Sequence, residues 1–328
     1  MKNAMLSREA DACFWIGRYV ERAEATARML DVHYHATLEG VPGMLEWESV
    51  LAIADCAEDF HKRHTELNER TAIEYFVFDT ENSGSIVSAL TYARENARSI
   101  REMVASEIWE CLNMIYLELK EWDVDRALSG TPHAFFTKIK NTAHLFHGIT
   151  YRTQLLNETR DWLRVGTFLE RADQTVRLLD VKYHDLLPAT RAGKPELGGM
   201  GVGGPADIHG WIAVLRSVSA FEMYRKTHRD GIHPAGVVDF LALNPVFPAS
   251  IRYSIGQTEE ALRRVSGTSP SSPATCEPER LVGRLRAELN YARADEIIVG
   301  GLHEYLQSVQ KRCTEIGGSI TRTYLSYQ

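Results

Sequence analysis

The chain has 328 residues, 44% hydrophobic and 25% charged, with a formal net charge of -7 at pH 7, enough for one large domain or two moderate ones with a full core. The negative balance excludes broad electrostatic binding to nucleic acid or an anionic membrane surface. Five dispersed cysteines (Cys13, Cys56, Cys111, Cys276, Cys313) lack C-x-x-C spacing and read as reduced thiols, not as a disulfide framework or a metal site.

Arg8, Glu9 and Asp11 interrupt the start of the chain, where a secretory leader needs an unbroken apolar run. No stretch reaches the ~20 apolar residues of a membrane helix, so a cytoplasmic location is expected. From Ile16 the apolar residues fall at 16, 19, 20, 23, 27, 30 and 34, one face of a 3.6-residue period. Gly40-Val41-Pro42-Gly43 breaks it, and the period returns from Trp47 (Trp47, Val50, Leu51, Ala54). Phe76-Val77-Phe78 is too short to argue for a strand. After Asn82-Ser83-Gly84 a third helix is expected to run from Ile86 through Leu90, Ala93, Ala97, Ile100 and Val104 to Ile108. Ser129-Gly130-Thr131-Pro132 is the next breaker. Residues 188–205, glycine-rich, and 266–278, rich in Ser and Pro, read as flexible connections. The glycine run lacks the preceding strand and terminal Lys-Ser/Thr of a phosphate cradle. Trp211 to Arg225 is another amphipathic helix whose aromatics are assigned to the core. An all-α helical bundle is expected.

Internal comparison adds organisation. Residues 16–35 and 165–184 are identical at eleven of twenty positions at an offset of 149. Trp47, Val50, Leu51, Glu58, Lys62 and His64 recur at an offset of 164 as Trp211, Val214, Leu215, Glu222, Lys226 and His228. A weaker third match sets Ser85-Ile86, Glu95 and Arg98 against Ser250-Ile251, Glu260 and Arg263. The expectation is a tandem duplication of a multi-helix unit with pseudo-two-fold symmetry. It forms a single domain over 1–328, with one repeat at about 1–147 and the other at about 148–328.

Within the duplicated helix the apolar positions interchange freely while a polar ridge does not. Gly17, Glu21, Glu24, Arg28, Asp31 and His35 are spaced 4, 3, 4, 3 and 4 and share one face. Their counterparts are Gly166, Glu170, Asp173, Arg177, Asp180 and His184. Three readings compete. A solvated ladder would pair Glu24 with Arg28 and Arg28 with Asp31, at ~0.3–0.5 kcal/mol each. A structural seam would pack the two copies antiparallel, with Glu24 facing Arg177 and Arg28 facing Asp173. A ligand or catalytic site would gather the same groups. The seam is the preferred reading. Asp31, His35, Asp180 and His184 offer metal-ligand types at i,i+4 spacing, yet the Glu-x-x-His and His-Glu-x-x-His motifs are absent, so no metal or cofactor is expected. Arg94, Arg98 and Arg101 form a second stripe that suits carboxylates or phosphates. Glu21 and Glu24 are their expected partners, and an anionic ligand is the alternative. No Gly-x-Ser-x-Gly elbow or activated cysteine context supports a nucleophile.

Several ordered segments resemble the bacterial Alpha-E family: MLSREADACFWIGRYVERAEATARMLDV, ARENARSIREMVASEIWECLN, LRVGTFLERADQTVRLLDV, WIAVLRSVSAFEMYRK and NPVFPASIRYSI. One stretch, YRTQLLNETRDW up to Trp162, departs from the pattern. The resemblance implies an all-α fold whose characteristic glutamates correspond to Glu21 and Glu170. It also implies company: a circularly permuted ATP-grasp protein and a transglutaminase-like cysteine peptidase, in a system that forms and cleaves amide bonds on peptides. The expected role is a non-catalytic helical accessory or partner. The alternative is an enzyme or ligand-binding protein in which Glu21 or Glu170 acts as general base and Arg28 and Arg177 hold an anionic or peptide substrate. Whether the protein is an enzyme, and its oligomeric state, stay open at this level.

Overall fold

The computed structural model describes residues 5–39, 47–186, 205–269 and 271–326, with side chains at 5–39, 47–181, 208–269 and 271–326. The breaker at 40–43, nearly all of the glycine-rich run and the His184 side chain fall outside these ranges. Among the described residues the chain is all-α, with fifteen helices and no strands. No helix is long and apolar enough to cross a membrane.

In chain order the helices are α1 (Ser7–Glu39), α2 (Trp47–Ala54), α3 (Ala57–Arg63), α4 (Glu69–Ile73), α5 (Ile86–Ser99), α6 (Ser106–Leu119), α7 (Val124–Ser129), α8 (Pro132–Thr153), α9 (Glu158–Leu186), α10 (Pro205–Ser217), α11 (Phe221–Thr227), α12 (Pro234–Val238), α13 (Ile251–Ser266), α14 (Glu277–Tyr291) and α15 (Ala294–Ile320). Their starts follow from side chains that accept orphan N–H groups. Ser85 caps α5 by accepting from Ser88 N, and Ser250 caps α13 by accepting from Tyr253 N. Pro132 opens α8, where a missing N–H costs nothing.

Two expectations change. Ile86–Ile108 is not one helix: α5 stops at Ser99 and α6 starts at Ser106. Gln154 pins the intervening turn, accepting from Ala105 N at 3.0 Å and donating to Met103 O at 3.0 Å. The described part of the Ser/Pro-rich stretch wraps around a buried carboxylate. Glu279, fully buried, accepts from Thr275 N at 2.8 Å and Thr268 Oγ1 at 3.0 Å, and from Ser266 Oγ. The Phe76-Val77-Phe78 triplet lies in a π-helical turn (Glu74–Phe78), and a second such turn spans Asp239–Leu243.

The core is organised about α1 and α9, which pack against each other. Helices α5 and α8 lie on α1, with α6 joining them. Helices α13 and α15 lie on α9, with α14 joining those. The short helices cross over: α2 packs on α9, and α10 packs on α1 as well as α9. Contacts along the α1–α9 pair advance together: Gly17 faces Leu163 and Thr167, Gly166 faces Phe14 and Arg18, and further along both chains Glu21 and Arg22 meet Arg171 and Glu170. The two helices therefore run side by side in the same direction, not antiparallel as the seam reading expected.

Candidate functional site

The parallel seam starts at two glycines. A side chain on Gly17 would overlap the Leu163 carbonyl oxygen and come within 2.8 Å of Thr167 N. One on Gly166 would overlap the Phe14 carbonyl oxygen and come within 2.9 Å of the Phe14 carbonyl carbon. Backbones touch here, which only glycine permits.

One turn further on, two Glu-Arg dipeptides cross. Arg22 donates to Glu170 from Nε at 2.8 Å and from Nη2 at 3.1 Å. Arg171 donates to Glu21 from Nε at 2.5 Å and from Nη2 at 2.8 Å. These are two-pronged guanidinium–carboxylate pairs between helices. Glu21 and Glu170 are buried, so their ionised forms depend on these partners. The second partners differ. Glu170 takes Arg18 Nε at 2.6 Å, whereas Glu21 has the imidazole of His147, with Nε2 at 3.3 Å. Burial pushes both carboxyls up, but the facing arginines outweigh it and hold both below the usual carboxylate range.

The antiparallel pairings fail for a physical reason: parallel packing sets residue i beside residue i+149, so Glu24 and Arg177 lie on opposite sides of the seam. Arg28 instead pairs with Glu24 four residues before it. Arg177 pairs with Asp173 at 2.9 Å and Asp55 at 3.3 Å.

The seam divides two clefts. One, about 390 Å³, is lined by Arg18, Arg22, Glu170, Asp173 and Arg177 together with Asp55 and Cys56. The other, about 250 Å³, is lined by Glu21, Glu24, Arg28 and Arg171 with His144, His147 and Ser219. Asp55 and Ser219, which rim the two clefts, are among the described residues the non-glycine ones with positive φ, 55° and 54°. In the larger cleft burial raises Asp173 above the ordinary aspartate value despite Arg177. Burial also pushes the Cys56 thiol up to about 12, so it is no thiolate nucleophile at neutral pH. In the smaller cleft Glu24 sits at about 2, because hydrogen bonding to His144 and the charge of Arg28 overcome burial. Glu21, Glu24 and His147 converge closely enough to suggest metal ligands. Both carboxylates already carry arginines there, which a cation would have to displace.

Asp31 and His35 lie beyond the clefts, against α8. Asp31 accepts from Lys140 Nζ at 2.6 Å and contacts His133 at 2.7 Å. Asp180 contacts His303 of α15 at 2.7 Å. The second arginine stripe is elsewhere and does not reach Glu21 or Glu24. Arg94 donates to Asn113 at 3.0 Å and stacks over Trp109 and Tyr116 of α6. Arg98 pairs with Glu95 at 2.7 Å, and Arg101 covers Trp109.

Sequence reasoning missed Arg18, Arg22, Arg171, His133, Lys140, His144 and His147. A signal existed for two of them: Arg22 and Arg171 recur at the same offset as the ridge. They were passed over because they stand about 100° round the helix from the glutamates.

The depressed carboxyls make a pH prediction. Groups whose folded pKa is lowered contribute stability that is complete above the unfolded value and lost as pH falls through the folded one. For Glu21, Glu24 and Glu170 the unfolded value is 4.5, and the folded value of Glu24 is about 2. Asp173, raised by burial, works in the opposite sense. Thermal melts should hold steady from neutral pH down to about 4.5 and fall steeply below it. A melting temperature unchanged at pH 2.5 contradicts the pairing.

A model of the Alpha-E family, described as a predicted alpha-helical domain with a conserved ER motif, matches residues 5–325. Searches of curated proteins and of solved structures gave no match. Of the four Glu-Arg dipeptides in the chain, Glu21-Arg22 and Glu170-Arg171 are the two that cross the seam. Arg70 pairs with Asp125, and Arg280 with Glu277.

Proposed function

The chain belongs to the Alpha-E family, and we propose that it is a non-catalytic helical partner protein, built by tandem duplication and locked at the crossed Glu-Arg dyads. The observation that carries this reading is the closure of both dyad glutamates. Each is buried and gripped by a guanidinium of the other helix, so neither is free to take a proton from a substrate. A general base works near its operating pH, and these carboxyls are held well away from it.

Support for the duplication comes from corresponding parts. The glycine contacts are reciprocal across the seam. The π-helical turns at Glu74–Phe78 and Asp239–Leu243 keep the 165-residue offset of the capping serines Ser85 and Ser250. Duplication places one arginine-lined cleft on each side of the lock.

The proposed partners follow from the family's company, as the resemblance implies it: a circularly permuted ATP-grasp ligase and a transglutaminase-like peptidase. In this role the chain docks the ligase or presents its peptide. Co-expression with an ATP-grasp protein encoded beside it should yield a co-purifying complex and a ligase whose turnover depends on this chain. No complex, together with ligase turnover indifferent to the chain, would sink the proposal.

A further inference from the structure

At the far end of the ridge three metal-ligand atoms meet. His133 Nδ1 lies 2.7 Å from Asp31 Oδ1, and His35 Nε2 lies 3.0 Å from His133 Nδ1 and 3.7 Å from Asp31 Oδ1. These separations allow an ion to sit about 2.1 Å from all three atoms, a normal zinc–nitrogen or zinc–oxygen bond length.

Hydrogen bonding alone serves this meeting poorly. The carboxylate oxygen only accepts, and a neutral imidazole has one N–H. His133 Nε2 faces Thr137 Oγ1 at 3.3 Å. With its hydrogen there, His133 directs a bare Nδ1 at the carboxylate. With its hydrogen on Nδ1, two acceptors compete for it. One divalent cation satisfies all three atoms together.

The surroundings fit the same reading. Lys140 Nζ holds the other carboxylate oxygen, Oδ2, at 2.6 Å, which leaves Oδ1 turned to the rings. Thr137 on the far nitrogen of His133 is the kind of outer partner that orients a ligating imidazole. Asp31 is buried, while His35 and His133 are 44% and 47% exposed, so an ion enters from solvent and keeps water on its open side. In the second half His303 Nδ1 meets Asp180 Oδ1 at the same 2.7 Å, a recurrence of the carboxylate–imidazole pair on α9 and α15. Unlike the Glu21–Glu24–His147 cluster, the oxygen facing these rings carries no guanidinium.

We propose that Asp31, His35 and His133 bind one divalent transition-metal ion of the zinc class. Two imidazoles and a carboxylate suit that class and exclude calcium and magnesium, which take oxygen ligands. The site is independent of the partner role.

The test is a zinc titration of untagged, chelator-stripped full-length protein against a chromophoric competitor at pH 7.5. Wild type is compared with His35→Gln and His133→Gln. The wild type should bind zinc, and each variant should bind one zinc fewer, or bind it at least about 30-fold more weakly, as loss of a ligand requires. His35 is half-exposed, so its variant should melt like the wild type without metal. Added zinc should raise the melting temperature of the wild type alone. Zinc uptake by both variants equal to wild type, or no wild-type uptake at 100-fold chelator-free excess, overturns the assignment.

Discussion

Gly166→Ala is expected to cost about 4 kcal/mol and lower the melting temperature by roughly 5–10 °C. The added methyl meets the Phe14 carbonyl, with Arg18 N 3.2 Å away. Both are backbone atoms inside α1, so no rotamer change relieves the contact, and the helices must separate. That separation also lengthens both crossed ion pairs one turn on. Gly17→Ala should behave alike, because it meets Leu163 and Thr167 backbone in the reciprocal way. Gly148→Ala is the control: nothing lies within 4 Å of its added carbon, and a helical glycine gains about 0.5–1 kcal/mol from alanine. Thermal melts of the three variants decide the matter. A Gly166→Ala protein as stable as wild type would remove the close crossing from the account.

The second large effect is at Glu170. Glu170→Ala leaves Arg18 and Arg22 together without their carboxylate, at side-chain exposures of 18% and 22%. Breaking a buried pair by deleting one partner typically costs 3–5 kcal/mol, because the stranded charge stays desolvated. Here two guanidiniums are stranded, so about 4–5 kcal/mol is expected, measured by denaturant melts. Glu21→Ala should cost less, about 3 kcal/mol, since it strands one arginine and an imidazole that can stay neutral.

Much of this arrangement could be read from residues, and the parts that could not share a cause. Periodicity located α1, α9 and their polar ridge, because a helix face is a local property of spacing. It carried no information on whether the two helices run parallel or antiparallel, and so the expected Glu24–Arg177 and Arg28–Asp173 pairings were misplaced. The spacing drew attention to Glu21 and Glu170, but not to their partners, which sit on neighbouring faces of the opposite helix. The turn between α5 and α6 has no glycine or proline in residues 100–105. Gln154, far along the chain, shapes it through tertiary hydrogen bonds. The wrap over Glu279 was hidden for the opposite reason: a stretch rich in Ser and Pro looks mobile until a buried carboxylate collects donors from Ser266, Thr268 and Thr275. His133 and Lys140 reach Asp31 across about a hundred residues, which no spacing rule spans.

The central claim is that the crossed dyads lock the fold and perform no chemistry. A double-mutant cycle on Glu21 and Arg171 tests it most directly, using Glu21→Gln, Arg171→Gln and the pair together. The account predicts that each single change destabilises strongly and that the double variant is more stable than their sum by about 2 kcal/mol. Single changes that leave stability intact and add within about 0.3 kcal/mol, while abolishing partner binding or turnover, would contradict it.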